Sequence, residues 1–202
     1  MKKIILGLVM ATILVSCTAT QSPTKTTSNP QSSSLAESAT GGLKVDLSKS
    51  YHYLDSEKKS YAENTFGDLI SKTPYTIVYF YPKDGTPNCT IQALDFSRLQ
   101  TEFAKEGYQI LGVSKDDLAS HKAFADRNEL KIKLLQDKNS ELLAQFGALG
   151  KLQEYGNGSD KSDIIRSTFI IDKSGVVQYA FLDVKAIGHA DRILELIRSE
   201  KK

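Results

Sequence analysis

The chain has 202 residues with 26 Lys plus Arg against 24 Asp plus Glu, a formal charge of +2. That length holds one ordinary domain plus extra segments. Charges so nearly balanced and so interspersed give no electrostatic basis for a nucleic-acid partner. The cysteine count is two, Cys17 and Cys89, which rules out a disulfide-stapled scaffold.

The first sixteen residues read as a segment outside the fold. Lys2 and Lys3 form a basic start, and Ile4 to Val15 is an apolar run too short to span a bilayer comfortably. Leu14-Val15-Ser16-Cys17 resembles the bacterial lipobox, which implies a lipoprotein signal peptide over residues 1–16, cleaved before Cys17, with the lipid on Cys17. Thr18 is not the aspartate that holds some lipoproteins at an inner membrane. Loss of Lys2 and Lys3, in a segment without acids, takes the formal charge from +2 to about zero. Residues 17–42 are rich in Ser, Thr, Gln and Pro and carry too little apolar surface to fold. We expect them to be a flexible tether with a reach on the order of 25 to 30 Å. The expected location is extracytoplasmic, anchored to a bacterial membrane by lipid.

Residues 43–202 read as one folded domain, large enough for a substantial core. Leu43 to Tyr61 predicts an N-terminal hairpin turning at 55–58, and Asn64 or Thr65 a cap for a short helix through Ile70. The run Ile77-Val78-Tyr79-Phe80-Tyr81 predicts a strand buried on both faces, ended by Pro82. Lys83-Asp84-Gly85 is a turn, and Thr86-Pro87 a helix start, with Thr86 as N-cap and Pro87 at the first helical position. Cys89 then falls in the first turn of a helix to about Glu106, on the face of Phe96, Leu99 and Phe103. Unpaired N–H groups and the positive end of the helix dipole favour a thiolate there, the form of a thiol that acts as a nucleophile.

Gly107 predicts the stop of that helix, and Tyr108 to Val113 a second buried strand. Asp116 and Asp117 open a third helix with Leu118, His121, Phe124 and Ala125 along one side. Ile132 to Leu135 is a short apolar run, Ser140 to Phe146 is helical and Gly147 breaks it, and Glu154 to Asp163 is a polar loop. Ile164–Ile171 and Val176–Phe181 predict an antiparallel hairpin, and His189 to Ser199 a closing helix with Ile193, Leu196 and Ile197 inside. This alternation gives an α/β fold with a mixed central sheet flanked by helices. His52, His121 and His189 have no metal-ligand spacing, so no metal and no other cofactor is expected.

The spacing of Pro82, Thr86 and Cys89 resembles the Pro-x-x-x-Thr-x-x-Cys signature of peroxiredoxins. The stretch YFYPKDGTPNCTIQALDF is similar to the peroxiredoxin Q, or bacterioferritin comigratory protein, subfamily, and the likeness continues through GVSKDD, LLQD, QFG and RSTFIID. The Ala-Pro-x-Phe segment usual near the start of that domain is absent, and Asn88 stands where the subfamily commonly has glycine. The resemblance implies a thioredoxin-like fold with an N-terminal extension. It implies Cys89 as the peroxidatic nucleophile, Thr86 hydrogen-bonding at sulfur and peroxide, Pro82 shielding the pocket, and Arg166 as the family's arginine, favouring the thiolate and orienting substrate.

Many members carry a resolving cysteine five residues after the first; here that position is Leu94. A one-cysteine cycle is therefore expected: hydrogen peroxide or an organic hydroperoxide oxidises Cys89 to a sulfenic acid, and an external thiol, such as a thioredoxin-like protein, reduces it. The expected state is a monomer or weak homodimer. Two other readings of the residues are a thiol:disulfide oxidoreductase, against which Gln92 breaks a Cys-x-x-Cys pattern, and a non-enzymatic peroxide sensor.

Overall fold

The computed structural model describes residues 37–38, 42–150 and 164–201. The expected signal peptide, Cys17, most of the tether and the polar loop from Glu154 to Asp163 lie outside the described residues. In chain order the elements are β1 (Glu37–Ser38), β2 (Ser50–Asp55), β3 (Ser60–Thr65), α1 (Phe66–Ile70), β4 (Tyr75–Phe80), α2 (Pro87–Lys105) and β5 (Tyr108–Ser114). There follow α3 (Leu118–Asn128), β6 (Lys133–Gln136), α4 (Glu141–Gln145), β7 (Ser167–Asp172), β8 (Val177–Phe181) and α5 (His189–Ser199).

The strands form one mixed sheet in the order β1-β8-β7-β4-β5-β6-β2-β3. β4 is central, parallel to β5 and antiparallel to β7, as its continuous apolar run predicted. Its side chains alternate: Ile77, Tyr79 and Tyr81 join one core cluster with Cys89, Phe96 and Phe103 of α2, Phe124 of α3, and Ile193 and Ile197 of α5. Val78 and Phe80 point the other way, into a second cluster with Phe66 and Ile70 of α1 and Leu142 and Leu143 of α4. Helices on both faces of a mixed sheet are the expected thioredoxin-like architecture.

Local chemistry accounts for the element ends. Thr65, not Asn64, caps α1, its hydroxyl accepting the Asp68 N–H at 3.1 Å. Asp117 caps α3 by accepting the Ser120 N–H at 2.8 Å. Gly107, at φ 91°, releases the chain from α2 into β5, a conformation that costs glycine little.

Three sequence expectations need correction. The first hairpin comprises Ser50–Asp55 and Ser60–Thr65, so it starts and ends later than Leu43 to Tyr61 suggested, and β2 also pairs with β6. In α5 the buried apolar side is Ile193, Leu194 and Ile197, with Leu196 only half-buried. Glu37–Ser38, within the expected tether, pairs with Tyr179 and Ala180 at the edge of β8. Backbone pairing with an open strand edge needs no apolar side chains, so composition gave no sign of it.

Candidate active site

Pro82 ends the path of β4, and the turn through Gly85, at φ 72°, leads into α2. Pro87 takes the first helical position, where its missing N–H costs nothing. Thr86 has the extended backbone of an N-cap, but its side chain makes no capping bond; its hydroxyl donates to the Lys83 carbonyl at 3.2 Å. Thr86 is thus the N-cap that the sequence suggested, by its backbone and without a side-chain capping bond. The hydroxyl proton serves the preceding turn, and Thr86 leaves the N–H groups of Asn88 and Cys89 free of a capping oxygen. Pro82 and Thr86 are both half-buried on either side of this turn.

Cys89 sits in the first turn of α2, is a free thiol, and is 1% exposed. Arg166, immediately before β7, donates from Nη2 to Cys89 Sγ at 3.3 Å, across 77 residues of sequence. The sheet register explains the meeting: Phe80 at the end of β4 stands opposite Ser167 at the start of β7. The residues just beyond that pair, Tyr81 leading to the cysteine turn and Arg166, are carried to the same end of the sheet. The Val184 N–H donates to the Arg166 carbonyl at 2.9 Å and fixes the backbone behind the guanidinium.

The second arm of the guanidinium, Nη1, donates to Gln92 Oε1 at 2.8 Å. Gln92 is fully buried and was not singled out from sequence as a site residue. Its signal was available: it lies three residues after Cys89 on the stripe of Ala93 and Phe96, and a polar side chain on an apolar stripe needs a partner. No carboxylate among the described residues lies within ion-pair distance of Arg166. Its charge is therefore directed at the sulfur and a neutral amide. Together with the helix N-terminus, it is placed to stabilise negative charge on sulfur.

Tyr79 floors the site, fully buried and stacked on Phe96 at 4.7 Å between ring centroids. Burial first, then the charges of Asp84 and a Cys89 thiolate, hold its phenol well above the usual range, with Arg166 opposing them. Tyr79 therefore stays neutral. Its hydroxyl and the Gln92 Nε2 are both buried without a hydrogen-bond partner. His189, at the start of α5, is buried beside Phe96 and Phe181, and its Nε2 lies 3.0 Å from Thr168 Oγ1. Burial first, then Arg192 and Arg166, push its pKa from 6.5 down to about 3. His52 lies on the surface, 3.7 Å from Glu63, and His121 is buried under the turn before α2.

Residues 52–180 match the model of the AhpC/TSA family. Peroxiredoxin Bcp of Xanthomonas campestris is 38% identical over 128 residues, covering 63% of this chain and 79% of the relative. Among solved structures, a peroxiredoxin Q of Xanthomonas campestris superposes with a TM-score of 0.64 at 32% identity, covering 76% of this chain and 92% of the other. PrxQ of Xylella fastidiosa, solved as a Cys-to-Ser mutant, gives a TM-score of 0.68 at 26% identity, with 80% and 96% covered. A free, buried cysteine at a helix start, contacted by an arginine that immediately precedes a central strand, occurs here within a match of this extent, and the chain belongs to the AhpC/TSA family as a thiol-dependent peroxidase of the peroxiredoxin Q/Bcp group.

Proposed function

We propose that Cys89 is the peroxidatic thiol of a one-cysteine peroxidase acting on hydrogen peroxide and organic hydroperoxides. The observation that carries this reading is the 3.3 Å contact from Arg166 Nη2 to Cys89 Sγ at the open end of α2. The thiolate attacks the distal oxygen of the hydroperoxide, the O–O bond breaks, and the departing oxygen leaves as water or an alcohol after taking a proton. Cys89 becomes a sulfenic acid. Arg166 and the free N–H groups of the helix start would hold the peroxide and stabilise charge on the leaving oxygen; Pro82 and Thr86 would border its entry.

Reduction then requires a thiol from outside. With Cys17 as the other cysteine of the chain and Leu94 at the alternative position, the domain supplies no resolving partner. A thiol of a thioredoxin-like protein attacks the sulfenic sulfur, expelling water and forming a mixed disulfide; its second thiol releases Cys89 and leaves with the new disulfide. Lipid on Cys17 would hold this monomer or weak homodimer at a bacterial membrane, on its extracytoplasmic side. Labelled palmitate should enter the wild-type chain expressed in bacteria and not the Cys17→Ser chain.

The central test uses the full chain with Cys17→Ser, so that Cys89 is the one thiol, mixed rapidly with one equivalent of hydrogen peroxide. Fast consumption with one oxygen added to the protein, absent in Cys89→Ser, is expected. A rate equal to that of a free small thiol would overturn the reading. Insulin reduction without peroxide consumption would transfer it to a thiol:disulfide oxidoreductase.

A further inference from the structure

β1 runs antiparallel to β8, with Glu37 opposite Ala180 and Ser38 opposite Tyr179. β8 itself runs toward the cysteine end of the sheet, since Phe181 stands opposite Thr168, which on its other side faces Tyr79. The chain before Glu37 therefore leaves the domain at the end that holds Cys89. Further on, the Leu43 carbonyl accepts the Val177 N–H and the Val45 N–H donates to the Gly175 carbonyl, so the chain keeps to the edge of β8 as it passes to the other end.

Four large apolar side chains are exposed at the cysteine end. They are Ile91 and Leu94 on α2, Leu182 just after β8 and Ile187 just before α5, the last two 52% and 70% exposed. Val184, between Leu182 and Ile187 in sequence, donates to the Arg166 carbonyl, and Arg166 reaches Cys89. α2 and α5 lie parallel, because Arg98 binds Asp191 near their starts and Arg198 binds Glu102 and Glu106 further along. Leu94, about one turn before Arg98, is thus carried toward Ile187, which precedes Asp191 by a similar span. Among the described residues the other large exposed apolar side chains are Tyr61, on the far edge strand β3, and Tyr75, at the opposite end of β4. One exposed leucine needs no explanation; four such side chains round one site mark a surface that meets protein or lipid.

The tether distinguishes between the two. Residues 18–36 separate Cys17 from β1 and are rich in Ser, Thr and Gln. A coil of that length has a reach of about 25 Å, less than the roughly 40 Å across a domain of about 160 residues. A lipid on Cys17 then keeps near the bilayer the end from which the chain leaves. Turning the opposite end to the membrane requires the coil to stretch round the domain, at a cost in entropy.

We propose that the cysteine end of the domain rests on the bilayer, with Ile91, Leu94, Leu182 and Ile187 at the membrane interface, so that Cys89 meets hydroperoxides carried on lipid acyl chains. The inference rests on lipid at Cys17 and on Cys89 as the reacting thiol. In that reaction the O–O bond of the lipid hydroperoxide breaks, Cys89 becomes a sulfenic acid, and the lipid keeps a hydroxyl after taking a proton.

The test uses the lipid-bearing full chain made in bacteria and placed in phosphatidylcholine vesicles. The chain has no tryptophan, so Ile187→Trp and Tyr75→Trp each provide one reporter, at the cysteine end and at the opposite end. Brominated acyl chains should quench the reporter of Ile187→Trp strongly and that of Tyr75→Trp little. Equal quenching, quenching of neither, or more in Tyr75→Trp overturns the orientation. Leu182→Ser combined with Ile187→Ser changes two exposed positions outside the reacting groups. It should slow oxidation of Cys89 by a phospholipid hydroperoxide in the same vesicles about tenfold, the factor for withdrawing one such side chain from apolar surroundings. Oxidation by hydrogen peroxide should be unchanged. Slowing of both alike, or of neither, overturns the inference, and so does slowing confined to reduction by a thioredoxin-like protein, which would make the patch a seat for the reductant. Labelled palmitate missing from the chain sinks the lipid assignment and takes the orientation with it. A palmitate-bearing chain that hydrogen peroxide fails to oxidise sinks the assignment of Cys89 and leaves the quenching to decide the orientation.

Discussion

Replacing His189 by glutamine should remove a defined part of the protein's sensitivity to acid. His189 is 3% exposed, touches Thr168 Oγ1 through Nε2 at 3.0 Å, and has Phe96 and Phe181 at the edges of its ring. Burial, then Arg192 and Arg166, lower its pKa from 6.5 to about 3. The sign follows directly. Below 6.5 the unfolded chain takes up a proton that the folded chain refuses, so this group's stability is fully present above 6.5 and is lost as pH falls toward 3. Between pH 7 and pH 5 the loss is about 2 kcal/mol, from ~1.4 kcal/mol per pH unit over the part of the interval below the unfolded value. Glutamine does not titrate, and its amide nitrogen can reach the Thr168 hydroxyl. Urea unfolding of both chains at pH 7 and pH 5 measures the difference, in which groups common to both cancel. The wild type should lose about 2 kcal/mol more than His189→Gln over that interval. Equal losses would falsify the picture of a neutral histidine beneath the active-site helix.

Three other substitutions probe the site and its floor. Arg166→Lys keeps a charge but cannot span both Gln92 Oε1 at 2.8 Å and Cys89 Sγ at 3.3 Å, so peroxide consumption should fall about ten- to a hundredfold, with Arg166→Met lower still; stopped-flow rates within about threefold of wild type would remove Arg166 from the mechanism. Leu94→Cys places a thiol five residues along α2, where ideal geometry puts the two Cα atoms about 8.7 Å apart, beyond disulfide reach. Any disulfide between Cys89 and the introduced thiol, found by mass after oxidation, should therefore be accompanied by a loss of far-ultraviolet helical signal that the wild type does not show. Gly112→Ala sets a methyl 2.6 Å from Tyr79 Oη, and a ring stacked on Phe96 and Tyr81 has no room to retreat, so the urea midpoint should drop by the equivalent of about 1 to 3 kcal/mol.

The elements around the cysteine were legible because their signals are local. A five-residue apolar run, a proline at a helix start and a glycine at a helix end specify β4, α2 and the entry to β5 without help from the rest of the chain. The β7–β8 hairpin was equally plain except for its first strand, which begins at Ser167 and not at Ile164. The pairing of β2 with β6 was not, since it joins segments about eighty residues apart and leaves no mark on the periodicity of either. The site divides in the same way. Cys89, Pro82 and Thr86 share one short motif, whereas Gln92 becomes meaningful only when Arg166 is seen to reach it. Thr86 illustrates the limit of motif reading: its backbone takes the capping conformation and its hydroxyl turns to Lys83. His121 was placed correctly on the inner side of α3, but its partner, Asp84, sits 37 residues earlier in a turn whose composition suggests a solvated surface.

The two halves of the site are held by forces of different kinds. Arg166 leaves a strand paired residue by residue to β4, with its carbonyl tied to Val184, so its backbone moves only if the centre of the sheet moves. Cys89 sits on the first turn of α2, and the loop before it is held by the backbone bond from Tyr81 N–H to Val113 and by side-chain hydrogen bonds of Tyr81, Asp84 and Ser120. In the proposed reaction the charge of Arg166 acts on the sulfur at 3.3 Å, an interaction that falls with distance. The fold thus fixes the charge to the end of a central strand and the thiol to the start of α2.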